Sequence, residues 1–446
     1  MINLTQYKRG DAMLELARRI MELMEINGYQ AYLVGGCVRD YLMNRVPKDY
    51  DITTNATPEQ VIEVMKNNSI KTVPTGIKFG TVTAYMNGFP FEITTYRSDG
   101  KYSDYRRPEE VSFSQYVEED LARRDYTINA MVMDRNGTVY DPFDGMDDIK
   151  RKLIRCVGNA ADRFKEDPLR IMRGIRFALK YRFDISYTTR KAMENCAPLL
   201  LQVSVERIFS ELKQIVQYGD NVLSTLQRCG ALQVILPELM IMKDFEQNNP
   251  HHNLDLMKHT ERTMHNVDGV EIKLAAMFHD AGKPSCKDYA NDTIAHYYGH
   301  AKVSADIARA FLLRMKASAD EIKHVLPLVK LHDMKLTDKE FKRVAAKYSP
   351  EIAKDLIKLQ LADKLAQVYN EENINHLREL QTRQEALLRH PFTVNDLAVN
   401  GHDLMQIGIP EGPEIGSILK EMLEMVLDNP EMNTKEQLMS IVQITA

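Results

Sequence analysis

Two glycines followed at short range by two aspartates are the residues of this chain best suited to chemistry. In Leu33-Val-Gly-Gly-Cys-Val-Arg-Asp40, the apolar run from Ala31 to Val34 reads as a short buried strand. Gly35-Gly36 ends it in a turn whose backbone, free of Cβ atoms, can approach a phosphate closely. Val38 to Met43 restarts as a helix, so the turn also lies at a helix N-terminus, which attracts anions. Asp49 and Asp51 follow, in a segment running into Ile52, and in an extended chain both carboxylates point the same way. Carboxylates so placed hold magnesium, an ion that keeps coordination positions open for substrate phosphates. The implied chemistry is nucleotidyl or phosphoryl transfer.

Gly-Gly-x-Val-Arg-Asp with Asp-x-Asp after it resembles the nucleotidyltransferases of the class II CCA-adding enzyme and bacterial poly(A) polymerase family. The resemblance implies Asp49 and Asp51 as metal ligands, with Mg2+ as the ion, and nucleotide contacts from Gly36 and Arg39. Further on, Asn87-Gly88 suits the tight turn of a hairpin, and in its second arm Glu92 alternates away from Phe91 and Ile93. A family carboxylate at the matching strand position joins the two aspartates, which makes Glu92 the third. The polar stretch from Arg97 to Pro108 reads as a functional loop; it matches the flexible loop of family members able to add A.

Glu119 to Ala130 reads as a helix carrying Arg123, Arg124 and Asn129, whose donors and acceptors suit triphosphate and ribose; it matches the family's Arg-Arg-Asp-x-Thr-Ile-Asn motif. In Glu166-Asp-Pro-Leu-Arg-Ile-Met-Arg-Gly-Ile-Arg-Phe177, Asp167, Arg170, Arg173 and Arg176 recur at a spacing that keeps them on one slowly rotating helix face. Cytosine and adenine share an amino donor beside a ring-nitrogen acceptor, so an ionised Asp167 with Arg170 can accept CTP and ATP and reject UTP and GTP. The family motif is matched in full, its base-reading pair falling on Asp167 and Arg170, with nucleotide or phosphate contacts on Arg173 and Arg176.

A second group of metal-ligating side chains lies downstream, in Leu256-Met-Lys-His259, in Phe278-His279-Asp280-Ala-Gly-Lys283-Pro, in His296 to His300 and in Leu361-Ala-Asp363. Imidazole and carboxylate together suit divalent transition metals. The spacing resembles the HD phosphohydrolase superfamily, and the resemblance implies a second metal held by His259, His279, Asp280 and Asp363, with Asp333 competing for the last place. Such a module either hydrolyses phosphoesters or serves as a docking body.

These residues need scaffolds. The 446-residue chain, 44% hydrophobic and 27% charged, is long enough for several domains with buried cores. The expected fold class is α+β. A small α/β nucleotidyltransferase head (1–149) precedes an all-helical neck (150–220), an HD-type body (221–370) and a helical tail (371–446). The start has no apolar leader and no long apolar run follows, so the expected location is the cytoplasm, with no membrane partner. Five scattered cysteines without Cys-x-x-Cys spacing argue against disulfides or a thiolate zinc site. The net charge of −5 conceals a local surplus, since residues 150 to 191 hold 13 Lys or Arg against 4 Asp or Glu. That surplus suits a phosphate backbone. Expected partners are therefore the tRNA 3′ end, CTP and ATP; poly(A) addition, and an RNA-binding protein with vestigial sites, are the alternatives.

Overall fold

In the computed structural model, residues 4–100, 105, 111–248, 254–289, 294–368 and 370–445 are described. The chain divides into one unit of residues 1–215 and 224–237 and another of residues 216–223 and 238–446. The polar loop expected from Arg97 to Pro108 falls largely outside the described residues.

The first unit opens with α1 (Leu4–Ile26), β1 (Ala31–Val34), α2 (Gly36–Leu42), β2 (Ile52–Thr54), α3 (Pro58–Asn67), β3 (Lys71–Gly76), β4 (Thr81–Met86) and β5 (Phe89–Thr95). It continues through β6 (Arg97–Asp99), β7 (Val111–Phe113), α4 (Val117–Ala122), β8 (Val132–Met133) and β9 (Val139–Tyr140). Among the described residues, seven strands form one sheet in the order β3-β4-β5-β2-β1-β8-β9. Its β2–β5 pairing is parallel and its other pairings antiparallel. Alternation decides the faces. Leu33, Ile52, Phe91 and Ile93 share a core with α1 and α3, each contributing about 1.5–3 kcal/mol by burial. Val34 and Val132 turn the other way, to Tyr96, Leu121 and Val157. Thr57 and Gln60 form the capping box that starts α3. Asn87 (φ 51°) and Gly88 (φ 81°) make the β4–β5 turn type I′, as the dipeptide requires.

After the sheet come α5 (Gly145–Lys150), α6 (Ala160–Glu166), α7 (Leu169–Tyr181), α8 (Tyr187–Cys196), α9 (Val205–Val216), α10 (Val222–Arg228) and α11 (Leu232–Ile235). Three expectations are corrected here. Residues 119–130 are not one helix: α4 stops at Ala122, and the chain leaves the helical path to pair with residues 155–157. The Thr127 amide donates to Arg155 O at 2.9 Å and the Val157 amide to Asp125 O at 3.2 Å. Asp167 does not share the helix face of the three arginines. It ends α6 in extended backbone, φ −141° and ψ 98°, because Pro168 disfavours helical backbone in the residue before it. The neck is not wholly helical either, since Leu153–Ile154 pairs in parallel with Asp184–Ile185.

The second unit is helical: α12 (Leu256–His265), α13 (Val270–Phe278), α14 (His300–Arg314), α15 (Ala319–Leu331), α16 (Asp338–Lys347), α17 (Pro350–Ala366) and α18 (Glu371–Leu387), then α19 (Gly401–Gln406), α20 (Pro413–Asp428) and α21 (Lys435–Thr445). In α13, Ile272 through Phe278 are all buried, the mark of a helix enclosed by neighbours. Those neighbours are α12, α14, α15 and α17. Among the described residues no helix is long and apolar enough to cross a membrane.

Gly174 lets α7 approach the β-rich half of its unit, for a Cβ there would collide with the Tyr126 hydroxyl and with Met193. The same hydroxyl donates to Arg170 O at 2.6 Å, so the contact also sets the position of the arginine helix. Gly174→Ala should cost about 1–3 kcal/mol by overpacking, read as a lowered denaturation midpoint. An unchanged midpoint would mean that α7 is not held against Tyr126.

Candidate functional site

The turn after β1 opens one wall of a cavity of about 800 Å3. Gly35 takes φ 78° and ψ −125° at the start of α2, a conformation suited to glycine. Gly36, Arg39, Asp49, Asp51, Arg124, Asn129, Asp167, Arg170, Arg173 and Arg176 all line this one cavity. Eight arginines and four aspartates face it, an excess of positive charge that suits a polyphosphate, and its volume is that of a small-ligand site.

Buried carboxylates hold the arginines in place. Asp125 accepts from Arg173 at Nε (2.8 Å) and Nη2 (2.7 Å), and from the Asn129 amide at 3.3 Å. Asn129 in turn accepts from Arg39, whose guanidinium lies 4.8 Å from the Tyr181 ring centre. Burial alone would raise the Asp125 carboxyl, but Arg173 and Arg170 bring it down to about 2. Asp120 takes Arg123 at 2.6 Å and Arg124 at 3.2 Å. Arg170 donates to Glu166 at 2.7 Å and to Arg123 O at 3.0 Å, Asp167 accepts from Arg207 at 3.1 Å, and Arg176 donates to Glu211 at 2.7 Å. Much of the basic surplus read from the sequence is thus internally paired. Asp120, Asp125, Arg207 and Glu211 were not singled out from sequence. Asp125 alone carried a signal, its place directly after Arg123-Arg124.

Asp49, Asp51 and Glu92 meet for a different reason. Ile52 pairs in parallel with Ile93, so Asp51 and Glu92, each one residue earlier, come side by side on the face away from the α1 and α3 core. The Asp51 carboxyl is pushed up to about 6 by burial and by the charges of Asp49 and Glu92, with Arg124 offsetting part. Carboxylates that repel one another in this way fit a divalent cation, which would relieve the repulsion. Glu92 is exposed and acts on Asp51 from beside the cavity.

In the second unit, α12 supplies His259, the residues after α13 supply His279 and Asp280, and α17 supplies Asp363. His259 Nε2 lies 3.3 Å from His279 Nε2, 3.3 Å from Asp280 Oδ2 and 3.0 Å from Asp363 Oδ1. His279 Nε2 lies 3.2 Å from Asp280 Oδ2 and 3.5 Å from Asp363 Oδ1. Ligands about 2.0–2.2 Å from a tetrahedral ion sit about 3.3–3.6 Å apart, so these four buried groups fit one metal ion. Burial opposes charge on His279, yet Asp280 and Asp363 raise its imidazole to about 10, a sign that the cluster demands a cation at its centre. Asp333 is exposed and lies 3.9 Å from His300 Nδ1; among the described residues Asp363 is the carboxylate that joins His259, His279 and Asp280.

A mixed sheet carrying neighbouring carboxylates, faced by an arginine-lined cavity beside a glycine turn, defines a nucleotidyltransferase. Residues 31–155 match the family model described as the poly A polymerase head domain, residues 291–442 the model for tRNA nucleotidyltransferase domain 2, and residues 182–242 a model named for RNA and SrmB binding in polymerase A. The CCA-adding enzyme of Streptococcus sanguinis is 32% identical over 430 residues, covering 95% of this chain and 96% of that protein. The structure of the Bacillus stearothermophilus CCA-adding enzyme in complex with CTP aligns with a TM-score of 0.72 at 28% identity, covering 97% of this chain and 98% of that one. The Thermotoga maritima CCA-adding enzyme complexed with tRNA_CCA, 19% identical with a TM-score of 0.63 over 98% of this chain and 96% of that one, shares the fold. The chain belongs to the CCA-adding enzyme family.

The raised Asp51 carboxyl carries a pH signature. Its folded value of about 6 lies above the ordinary carboxylate range, so ionisation penalises the folded state increasingly from about pH 4 to pH 6 and fully above that. In protein stripped of divalent ions, Asp51→Asn should therefore raise the melting temperature at pH 7.5, by about 2–4 °C for each kcal/mol relieved. The gain should vanish below about pH 4. An equal gain at both pH values would mean that charge repulsion at Asp51 is not the cause.

Proposed function

We propose that this chain extends the 3′ end of tRNA with C, C and A, taking CTP and ATP as substrates and no nucleic-acid template, in the cytoplasm. The head (1–149) and neck (150–220) would supply the transfer site, with the body at 221–370 and the tail at 371–446. The observation that carries the reading is the presence of Asp167 and Arg170 in the same cavity as Asp49 and Asp51.

Magnesium ions held by Asp49 and Asp51, with Glu92 beside them, would lower the pKa of the attacking 3′-hydroxyl and neutralise charge on the departing pyrophosphate. The Gly35-Gly36 turn with Arg39, Arg124, Arg173 and Arg176 holds the triphosphate, and Asn129 holds the ribose. Asp167 accepts from the exocyclic amino group of the incoming base and Arg170 donates to its ring nitrogen; uracil and guanine present the reverse pattern. Arg207, paired with Asp167, keeps that carboxylate oriented.

The convergence of His259, His279, Asp280 and Asp363 favours a second activity over a purely docking role. This is phosphoester hydrolysis dependent on a transition metal, imidazole being a preferred donor for such ions.

Arg170→Ala should leave the ring nitrogen of a correct base unpaired, costing about 1–3 kcal/mol for CTP and for ATP. Measured kcat/KM on one primer should then fall for CTP and ATP far more than for UTP and GTP; an equal loss for all four would make Arg170 a packing or phosphate residue. Asp49→Ala should abolish addition while tRNA binding persists, because basic side chains supply most of the affinity. Near-normal addition by that variant would refute the metal-site assignment.

A further inference from the structure

We propose that the second unit binds a free nucleoside polyphosphate in a cavity walled by α14, α15 and the start of α17. The cavity has a volume of about 540 Å3, within the range of small-ligand sites. None of its lining residues belongs to the transfer cavity or to the histidine and aspartate cluster.

Helical spacing gathers cations on its rim. Lys302 and Arg309 lie on α14, and Lys323 and Lys330 on α15, each pair two turns apart and so on one face of its helix. Lys347 joins them from the end of α16. All five line the cavity, against Asp306 as the one lining anion, which leaves a formal surplus of four positive charges. Among the described residues, Lys302, Arg309, Lys323 and Lys330 have no ion-pair partner. Other cations of the same unit do: Arg314 pairs with Glu238 at 2.6 Å, Lys354 with Glu385 at 2.5 Å and Lys358 with Asp355 at 2.7 Å. Uncompensated like charges around one concavity repel one another, and a polyanion relieves that repulsion.

The floor asks for something more than phosphate. Pro327 and Ile352 are buried there, and Ile322 and Leu326 half-buried. A bare phosphate gains nothing from such a surface, whereas the flat face of a base does. Tyr348, half-buried with its ring centre 5.5 Å from Lys347 Nζ, adds an aromatic face on which a base can stack. Pro327 also changes the wall. Lying inside α15, it has no amide hydrogen to give the carbonyl of Lys323, so that oxygen loses its helical donor beside the proline ring. This carbonyl and the Asp306 carboxylate are acceptors for the amino or ring N–H groups of a base.

An RNA backbone is met by a stripe of cations along a surface. Here the cations ring a single depression of ligand size with an apolar floor, which favours a free nucleotide. The helices that would clasp it also carry the two histidines nearest Asp280 Oδ1, His300 at 3.2 Å and His332 at 3.5 Å. A ligand held between α14 and α15 therefore braces the helices that bear those histidines.

The test is lysine footprinting on the full chain, with a chelator present to silence metal-dependent turnover. The protein is treated with a limiting dose of acetic anhydride alone, with ATP, with inorganic triphosphate, or with a tRNA transcript lacking CCA, and each modified lysine is quantified by mass spectrometry. ATP at about ten times its dissociation constant should slow acetylation of Lys302, Lys323, Lys330 and Lys347 about tenfold, because only the unliganded chain reacts. Lys243, exposed elsewhere in the same unit, should react as before. Lys330→Glu should abolish the protection of the other three lysines without lowering the melting temperature; should that variant unfold, Arg309→Glu replaces it. Absence of protection by ATP, or protection that survives the charge reversal, overturns the proposal. Equal protection by inorganic triphosphate overturns the nucleotide assignment in favour of a bare anion site, and protection by the transcript without protection by ATP overturns it in favour of an RNA surface.

Discussion

The Asp125 carboxylate, buried and shared between Arg173 and Asn129, ties together three stretches of chain that are far apart in sequence. Through Asn129 it reaches Arg39 and the glycine turn; through Arg173 it fixes α7, and with it Arg170 and Arg176. A buried carboxylate stays ionised only when paired and hydrogen-bonded, and here the pairing holds it near 2. Removing Arg173 would take away the ion pair of that buried carboxylate and leave it only Asn129 and the charge of Arg170. The arginines of the cavity are preorganised by such anions, so a triphosphate bound there would meet donors already oriented, and ordering would cost little at the moment of binding.

Two clusters in the chain are frustrated in opposite senses. At the β2–β5 edge, carboxylates crowd one another and raise Asp51. In the helical unit, two buried carboxylates crowd around His279 and draw positive charge toward it against the cost of burial. Each arrangement is resolved by a cation, but of different character. Oxygen donors alone suit a hard ion that brings substrate phosphates as further ligands, whereas mixed nitrogen and oxygen donors suit a transition metal held by the protein itself.

The local parts of this account were legible in the sequence because their causes are local. The glycine turn, Asp49-x-Asp51, the capping box at Thr57 and the turn at Asn87-Gly88 each depend on a few adjacent residues. What escaped was set at long range. Arg123 to Thr127 read as helix by composition, yet strand-like pairing with residues 155–157 draws the segment out of it. Asp167 fitted a three-residue spacing, and the Pro168 that breaks the helix was in plain view. Glu211 and Arg207, partners of Arg176 and Asp167, lie 35 and 40 residues from them, beyond any periodicity argument. The histidines at 300 and 332 lay in motifs already conspicuous, but only the fold reveals that they share Asp280.

The central claim is that protein side chains, with no template strand, choose the nucleotides. It is tested most directly by incubating the full chain with Mg2+, all four nucleoside triphosphates and a tRNA transcript lacking its terminal CCA, then sequencing the 3′ ends. The account predicts products that gain C, C and A in that order and stop, with U and G rare. Long runs of A, or incorporation of U and G as often as C and A, would contradict it.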